Sequence, residues 1–293
     1  MPIVLEVLQI VAPVFLLGGI GFIWVRVGGE YRVEFVTKLA MNLGVPSLIF
    51  VSLMQAKVAP AALSEVVLAA VASYAALSVA AFVLVRLFRL PVQTYLAPII
   101  FGNTGNLGLP LALFAFGEAG LGYAVVIFAV MAIYSFTFGV WLVSGGQSLT
   151  KVLKEPIVYA SLLGGLFLFQ GWSTPLWLTN ALELTGQMAI PLMLITLGVA
   201  VARLHLASIG RAVLLSILKS AISILIAVMV GRWLELPPIA FAVLVLQIST
   251  PVAVTSYLLA ERYQADAQSV AGLVVVSTVV SILVIPVTLV FLL

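Results

Sequence analysis

The sequence predicts an all-α membrane protein with ten transmembrane helices in two five-helix repeats of opposite orientation. Three observations predict it. The 293-residue chain is 64% hydrophobic and 8% charged, with a mean hydropathy of +1.30. Ordinary soluble chains carry about 25% charged residues, so this one cannot cover a soluble surface. Ten apolar stretches approach the roughly 20 residues that a membrane helix needs. Prolines recur in the two halves at nearly constant spacing.

The first stretch, 5–26, ends at Gly28-Gly29-Glu30. The second, 34–55, stops at Ala56-Lys57. The third, 62–86, runs to Arg89-Leu90-Pro91. The fourth and fifth, 93–115 and 120–143, finish before Gly145-Gly146-Gln147. The sixth and seventh, 153–171 and 175–201, lead to Arg203-Leu204-His205. The eighth, 208–231, precedes the ninth, 237–259, which ends at Glu261-Arg262-Tyr263, and the tenth is 268–292. These short connections leave nothing for a soluble domain. Met1 to Glu6 lacks a basic segment and no small-residue cleavage site follows, so the first stretch reads as a retained helix.

Pro13 pairs with Pro156 at a spacing of 143, Pro46 with Pro191 at 145, Pro91 with Pro237 at 146 and Pro110 with Pro251 at 141. The repeats are therefore 1–150 and 151–293. Five spans per copy force the second to insert upside down, the inverted layout of many alternating-access carriers. Lys38, Asn42 and Pro46 also match Glu183, Gln187 and Pro191 at 145. Each trio steps by four and so reads as one helix face leading to a proline.

Basic residues orient the chain. Arg26, Arg32, Lys38, Arg86, Arg89, Lys151, Lys154, Arg203, Arg211 and Arg262 fall near the odd loops, against Lys57 and Arg232 near the even ones. Cytoplasmic loops carry the excess of Lys and Arg. Both termini are thus expected outside, with the chain in the cell's inner (plasma) membrane. The net charge of +3 reads the same way. No basic cluster with interleaved aromatics points to nucleic acid. Cysteine is absent and His205 is the lone histidine, which excludes thiolate or histidine metal clusters and histidine-dependent triads.

Two polar, proline-broken segments interrupt the fourth and ninth stretches. One is Gly102-Asn103-Thr104-Gly105-Asn106-Leu107-Gly108-Leu109-Pro110, the other Gln247-Ile248-Ser249-Thr250-Pro251. In lipid, irregular backbone survives only where it is buried in protein or lines a cavity. Paired broken helices point to a transporter's substrate site. Asn103, Thr104, Gly105, Asn106, Gln247, Ser249 and Thr250 are the candidate substrate ligands, with Pro110 and Pro251 setting the breaks. Freed helix N-termini suit an anion and C-terminal carbonyls a cation. Asn42 and Gln187 are expected to face this site. Lys219, some ten residues into the eighth helix, is either an intramembrane cation that neutralises an anion or pairs with a carboxylate, or an interfacial residue. Glu34 stands four residues before Lys38, the spacing of a local ion pair. The glycines resemble a phosphate loop only in number, since no Gly-Lys-Ser/Thr follows. No enzyme is expected.

Residues Phe101 to Leu111, Ala189 to Leu194, Pro251 to Tyr263, Ser277-Thr278 and Ile285-Pro286 resemble the bacterial auxin efflux carrier family across the whole chain. That family includes the plant PIN exporters and malonate or malate carriers. The resemblance implies the fold of the bile-acid sodium symporters. Helices 1, 2, 6 and 7 would form a scaffold, helices 3–5 and 8–10 a transport core, with helices 4 and 9 crossing within it. It further implies an elevator-like motion, a small organic anion as substrate (auxin-like or a dicarboxylate), and a homodimer as in plant relatives. Bile-acid symporters hold sodium with a glutamate in the ninth helix; here Gln247 and hydroxyls stand instead. A coupling sodium would fall to Asn103, Thr104, Gln247 and Thr250, and a proton is the other coupling ion. No organic cofactor is expected. An anion channel, a sodium symporter and a non-transporting sensor are the alternatives.

Overall fold

The structure is a computed structural model that describes residues 3–55, 60–143, 156–203 and 209–293. Ala56-Lys57, Gly145-Gly146-Gln147, Lys151, Lys154 and Leu204-His205, which entered the loop and orientation reading, lie outside the described residues. Within them all regular elements are helical. Helix α1 is Ile3–Arg26. Helix α2, Val33–Leu39, passes through a π-helical turn, Ala40–Gly44, into α3, Val45–Met54. Helix α4 is Pro60–Leu87 and α5 is Val92–Ile100. A second π turn, Thr104–Gly108, opens α6, Leu109–Tyr134, and a third, Ser135–Gly139, leads to α7, Val140–Val143. The rest are α8 (Pro156–Gln170), α9 (Leu176–Gln187), α10 (Ala189–Arg203), α11 (Ile209–Trp233), α12 (Pro238–Ile248), α13 (Val254–Arg262) and α14 (Ala267–Leu292).

Among the described residues, six helical runs are long and apolar enough to cross a membrane: Val33–Met54, Ser64–Leu87, Thr104–Val143, Leu176–Arg203, Ile209–Trp233 and Ala267–Leu292. Phe15–Arg26, Tyr159–Gln170 and Pro238–Ile248 are shorter apolar segments. The expected boundary between the fourth and fifth stretches appears as a break within α6 at Gly117, whose φ of 62° and ψ of −157° leave the helical region. A positive φ there suits a residue without Cβ.

Helix ends recur in the two halves. Gly28 and Gly171, 143 apart, both have positive φ (88° and 65°). After each, the next amide reaches back five residues, Gly29 to Trp24 and Trp172 to Phe167. Arg89 and Glu235, 146 apart, both sit in the left-handed region, at 53° and 51°. There Leu90 N–H bonds Val85 C=O and Leu236 N–H bonds Gly231 C=O. All four are the Schellman ending that ties off orphan helix carbonyls.

The helices pack as two groups. In the first, α1 lies along α10, and α3 lies on α8 and α9. Small residues permit this: a Cβ on Gly21 would strike the backbone of Ile195, and one on Gly198 the backbone of Gly18. Close backbone approach is how helices associate where lipid removes the hydrophobic drive. In the second group, α11 packs on α14 and α12, α12 on α6, and α4 on α5, α6 and α11. On the exposed face of α2 the Lys38 ammonium meets the Glu34 carboxylate at 2.7 Å. Glu183 accepts a hydrogen bond from the Gln55 amide, also exposed.

Candidate functional site

Helix α5 stops at Ile100 and Phe101 turns extended, with φ −92° and ψ 115°. Helix α12 stops at Ile248, and Pro251 denies the chain a further amide donor. The two stretches then meet. Gly102 and Val252 form an isolated antiparallel bridge. Asn103 N–H donates to Pro251 C=O at 2.7 Å, and Ala253 N–H donates to Phe101 C=O at 3.3 Å. Val252 N–H donates to the Ser277 hydroxyl at 3.0 Å. Backbone freed from two helices is thus re-satisfied within the protein, as the membrane interior requires. Gly102 is dictated by this contact, since a Cβ would collide with the Thr250 side chain.

Beyond the contact the first break restarts as a helix. The Asn103 carbonyl accepts the amides of Leu107 and Gly108, both at 3.1 Å. The Thr104, Gly105 and Asn106 amides therefore precede the first intrahelical bond, the place where helices leave donors free. The Asn103 side-chain amide is 4% exposed and its Nδ2 has no partner. The Thr104 hydroxyl is also buried and unpaired.

The second break is fastened down. The Ser249 hydroxyl donates to Leu246 C=O at 3.0 Å and the Thr250 hydroxyl to Gln247 C=O at 2.7 Å. Lys219, on α11, is 1% exposed. Its ammonium donates to Thr250 C=O at 2.7 Å. Of the two places the sequence left open for Lys219, the structure takes the buried one. A cation there faces the negative, C-terminal end of α12. Gln247 is fully buried beside Gly108, and neither its oxygen nor its nitrogen has a partner. A Cβ on Gly108 would strike that amide.

A cavity of about 70 Å³ lies against the first break, where the two helix groups meet. Gly102, Asn103, Gly105 and Asn106 form one wall, with Phe128, Met131 and Ala132 of α6, Ser135 of the third π turn, and Ala253 and Thr255 after the second break. Thr37, Ala40 and Met41 face it from the first group, with Met193 and Thr196 of α10. Among the described residues no Lys, Arg, Asp or Glu lines it. At its edge the Tyr31 phenol bonds the Thr196 hydroxyl at 2.7 Å, and Arg203 donates to Tyr31 C=O at 2.7 Å. Partial burial raises the Tyr31 phenol above its ordinary pKa, and the Thr196 bond opposes that rise.

A model of the membrane transport protein family, the auxin-efflux and PIN-like group, matches residues 6–148 and again residues 140–289. The chain belongs to this family. It is a family of transporters, not of enzymes. An uncharacterized transporter from Methanothermobacter thermautotrophicus is 29% identical over 298 residues, covering 97% of this chain and 95% of its own. Another, from Methanocaldococcus jannaschii, is 26% identical over 195 residues, 63% of each chain.

Within this multi-pass transporter the sequence-derived residues fall into three sets. Asn103, Gly105 and Asn106 line the cavity. Thr104, Gln247, Ser249, Thr250, Pro251 and Lys219 lie behind it, buried in the crossing, and Pro110 begins α6. Asn42 and Gln187 do neither: both are exposed and off the cavity, which corrects the expectation that they face it. The π turn at Ala40–Gly44 widens the helix between Lys38 and Pro46, so a count by fours loses the face. Gln187 ends α9, and α10 restarts beyond Met188 with a new phase. Thr37, Met41, Met193 and Thr196 take the places assigned to them. Their pairs do step by four and by three, but threonine and methionine in apolar helices resemble ordinary packing.

Proposed function

We propose that this transporter carries a small organic monocarboxylate by alternating access, with the first break as the carboxylate seat. One observation carries the reading. At the cavity wall, the amides that precede the first bond of a restarting helix follow directly on Asn103, whose buried side-chain amide is unpaired. A buried donor left unpaired costs about 1–3 kcal/mol, and a carboxylate would accept from it and from the helix start together. The lining also chooses between an auxin-like acid and a dicarboxylate. It has no cation, so a second carboxylate would be desolvated without a counter-charge. Met41, Met131, Met193 and Phe128 instead suit an apolar body. The cavity is far below the 300–1,000 Å³ of drug-sized sites, which favours a compact acid.

The recurring helix endings support ten spans in an inverted five-plus-five repeat, and the basic loops support outward termini in the inner membrane. The cavity's position between two separately packed groups supports an elevator motion of the α4–α7 and α11–α14 core against the α1–α3 and α8–α10 scaffold. Sodium fits poorly: at Thr250, one of the four residues to which it would fall, the carbonyl accepts from Lys219 and the hydroxyl is bonded to Gln247 C=O. We read the carrier as sodium-independent.

The test is solid-supported-membrane current from purified protein in liposomes. Isobutyrate, indole-3-acetate and malonate are each applied with and without sodium at two pH values. Saturable currents for monocarboxylates, unchanged by sodium and weakened in Asn103→Ala, support the reading. A current for malonate alone, or one that requires sodium, refutes it. Trans-stimulation of labelled uptake separates a carrier from a channel.

A further inference from the structure

A second cavity, about 200 Å³, lies at another part of the joint between the helix groups. Phe15, Gly18, Gly19 and Phe22 of α1 form one side, Leu107 of the π turn and Val279 of α14 the other. Thr278 supplies the lone polar side chain in an otherwise apolar lining. Its rim is open: Phe22 is 37% and Val279 55% exposed, beside Ile20 and Ile23 at 52% and 59%. In a membrane-spanning protein that rim faces lipid.

Two features exceed a chance groove. Gly19 sits mid-helix, where glycine costs about 1 kcal/mol against alanine. Neighbouring Gly21 and Gly198 are required by backbone contacts between α1 and α10, but a Cβ on Gly19 would meet nothing within 4 Å. No contact within the protein explains Gly19; space for a ligand does. The second feature is Arg26. Its guanidinium lies 5.3 Å over the Phe22 ring, at the end of the groove, and it forms no ion pair among the described residues. Phe15 and Arg26 stand eleven residues apart, or about 16 Å along a helix. That is close to half of the ~30 Å hydrocarbon thickness, the depth of one leaflet.

We propose that this crevice holds an acyl chain of an anionic phospholipid whose headgroup phosphate pairs with Arg26. The chain runs from Phe22 toward Phe15, wedged between the two helix groups. Leu107 and Leu197 of its lining adjoin Asn106 and Thr196 of the first cavity, so the lipid touches the back of the substrate site's wall. The inference needs only the membrane setting, and stands apart from the choice of substrate.

Native mass spectrometry of the delipidated protein, titrated with equal dioleoyl phosphatidylglycerol and phosphatidylcholine, tests it. Wild type should retain the anionic lipid about fivefold over the zwitterionic one, the factor for one basic residue at an anionic headgroup. Arg26→Gln should bring that ratio near unity. Gly19→Leu should cut retention of both lipids about tenfold, as about two methylenes lose their seat. Val279→Trp fills the crevice from α14 and should do the same, which covers failure of Gly19→Leu to fold. Equal retention of the two lipids by wild type overturns the headgroup assignment. Retention unchanged in the filled variants overturns the crevice. A dimer that excludes lipid from wild type would give the groove to a second copy instead.

Discussion

The two helix breaks share a plan and differ in use. Both interrupt a helix, and each satisfies the other's backbone across Gly102 and Val252. The first then leaves polar atoms uncommitted: Asn103 Nδ2, the Thr104 hydroxyl, and amides that precede the first helical bond. In the second, Ser249 and Thr250 are bonded to the preceding turn and Lys219 holds the Thr250 carbonyl, while the unpaired Gln247 amide is packed against Gly108, off the cavity lining. Four residues of the first break line the cavity. Of the second, only its exit does, through Ala253 and Thr255. On the proposed reading, one sequence device, a proline-broken helix, serves once as a ligand seat and once as its fixed backing.

That contrast predicts unequal mutants. The largest effect belongs to Lys219→Met. It removes the cation that holds the second break, so uptake in proteoliposomes should vanish. The melting temperature should fall by only about 5 °C or less: losing a charged hydrogen bond costs about 1.5–3 kcal/mol, partly offset because no ammonium is then buried. A stable, active Lys219→Met would break the comparison. Next is Gly108→Ala, which drives a methyl into the Gln247 amide. It should cut the transport rate about tenfold, as a small misplacement of positioning groups does. Asn103→Ala should raise KM about tenfold or more, the loss of one hydrogen bond to a charged ligand. Ser249→Ala, whose hydroxyl serves only its own turn, should change uptake less than about twofold. Asn42→Ala and Gln187→Ala should leave uptake at wild-type level, since both side chains are exposed away from the cavity.

A smaller effect concerns pH. The Ser269 hydroxyl and amide bond the Asp266 carboxylate at the start of α14, at 2.6 and 3.0 Å. Those bonds, led by the hydroxyl's, hold its pKa below the ordinary value. A depressed carboxylate stabilises the fold above its unfolded pKa, about 3.9, and that stability is lost as pH falls through the folded value. Melting curves should therefore show an acid-side decline that is shallower in Asp266→Asn. Identical pH profiles would remove the capping role.

Composition and proline spacing made the apolar helices and the places of both breaks legible, because lipid tolerates few departures from regular apolar helix. That Asn103, Gly105 and Asn106 would line a cavity was legible for the same reason. The crossing contact was not, since Gly102 and Val252 are far apart in sequence and no local pattern pairs them. Nor was the far wall. A π turn and a helix restart carry Asn42 and Gln187 off the face that a count by fours assigns them, and Thr37, Met41, Met193 and Thr196, which do line the cavity, resemble ordinary packing in sequence. Lys219 shows a third limit: its depth depends on which helices close over it.

The most direct test of the two-role account is the kinetics of saturable uptake in Asn103→Ala and Lys219→Met, measured side by side with the monocarboxylate that gives the largest current. A seat and a backing should separate. Asn103→Ala should raise KM with kcat nearly kept, and Lys219→Met should lose kcat, any residual uptake keeping its KM. If both variants raise KM alike, or both leave transport intact, the breaks do not divide the work in this way.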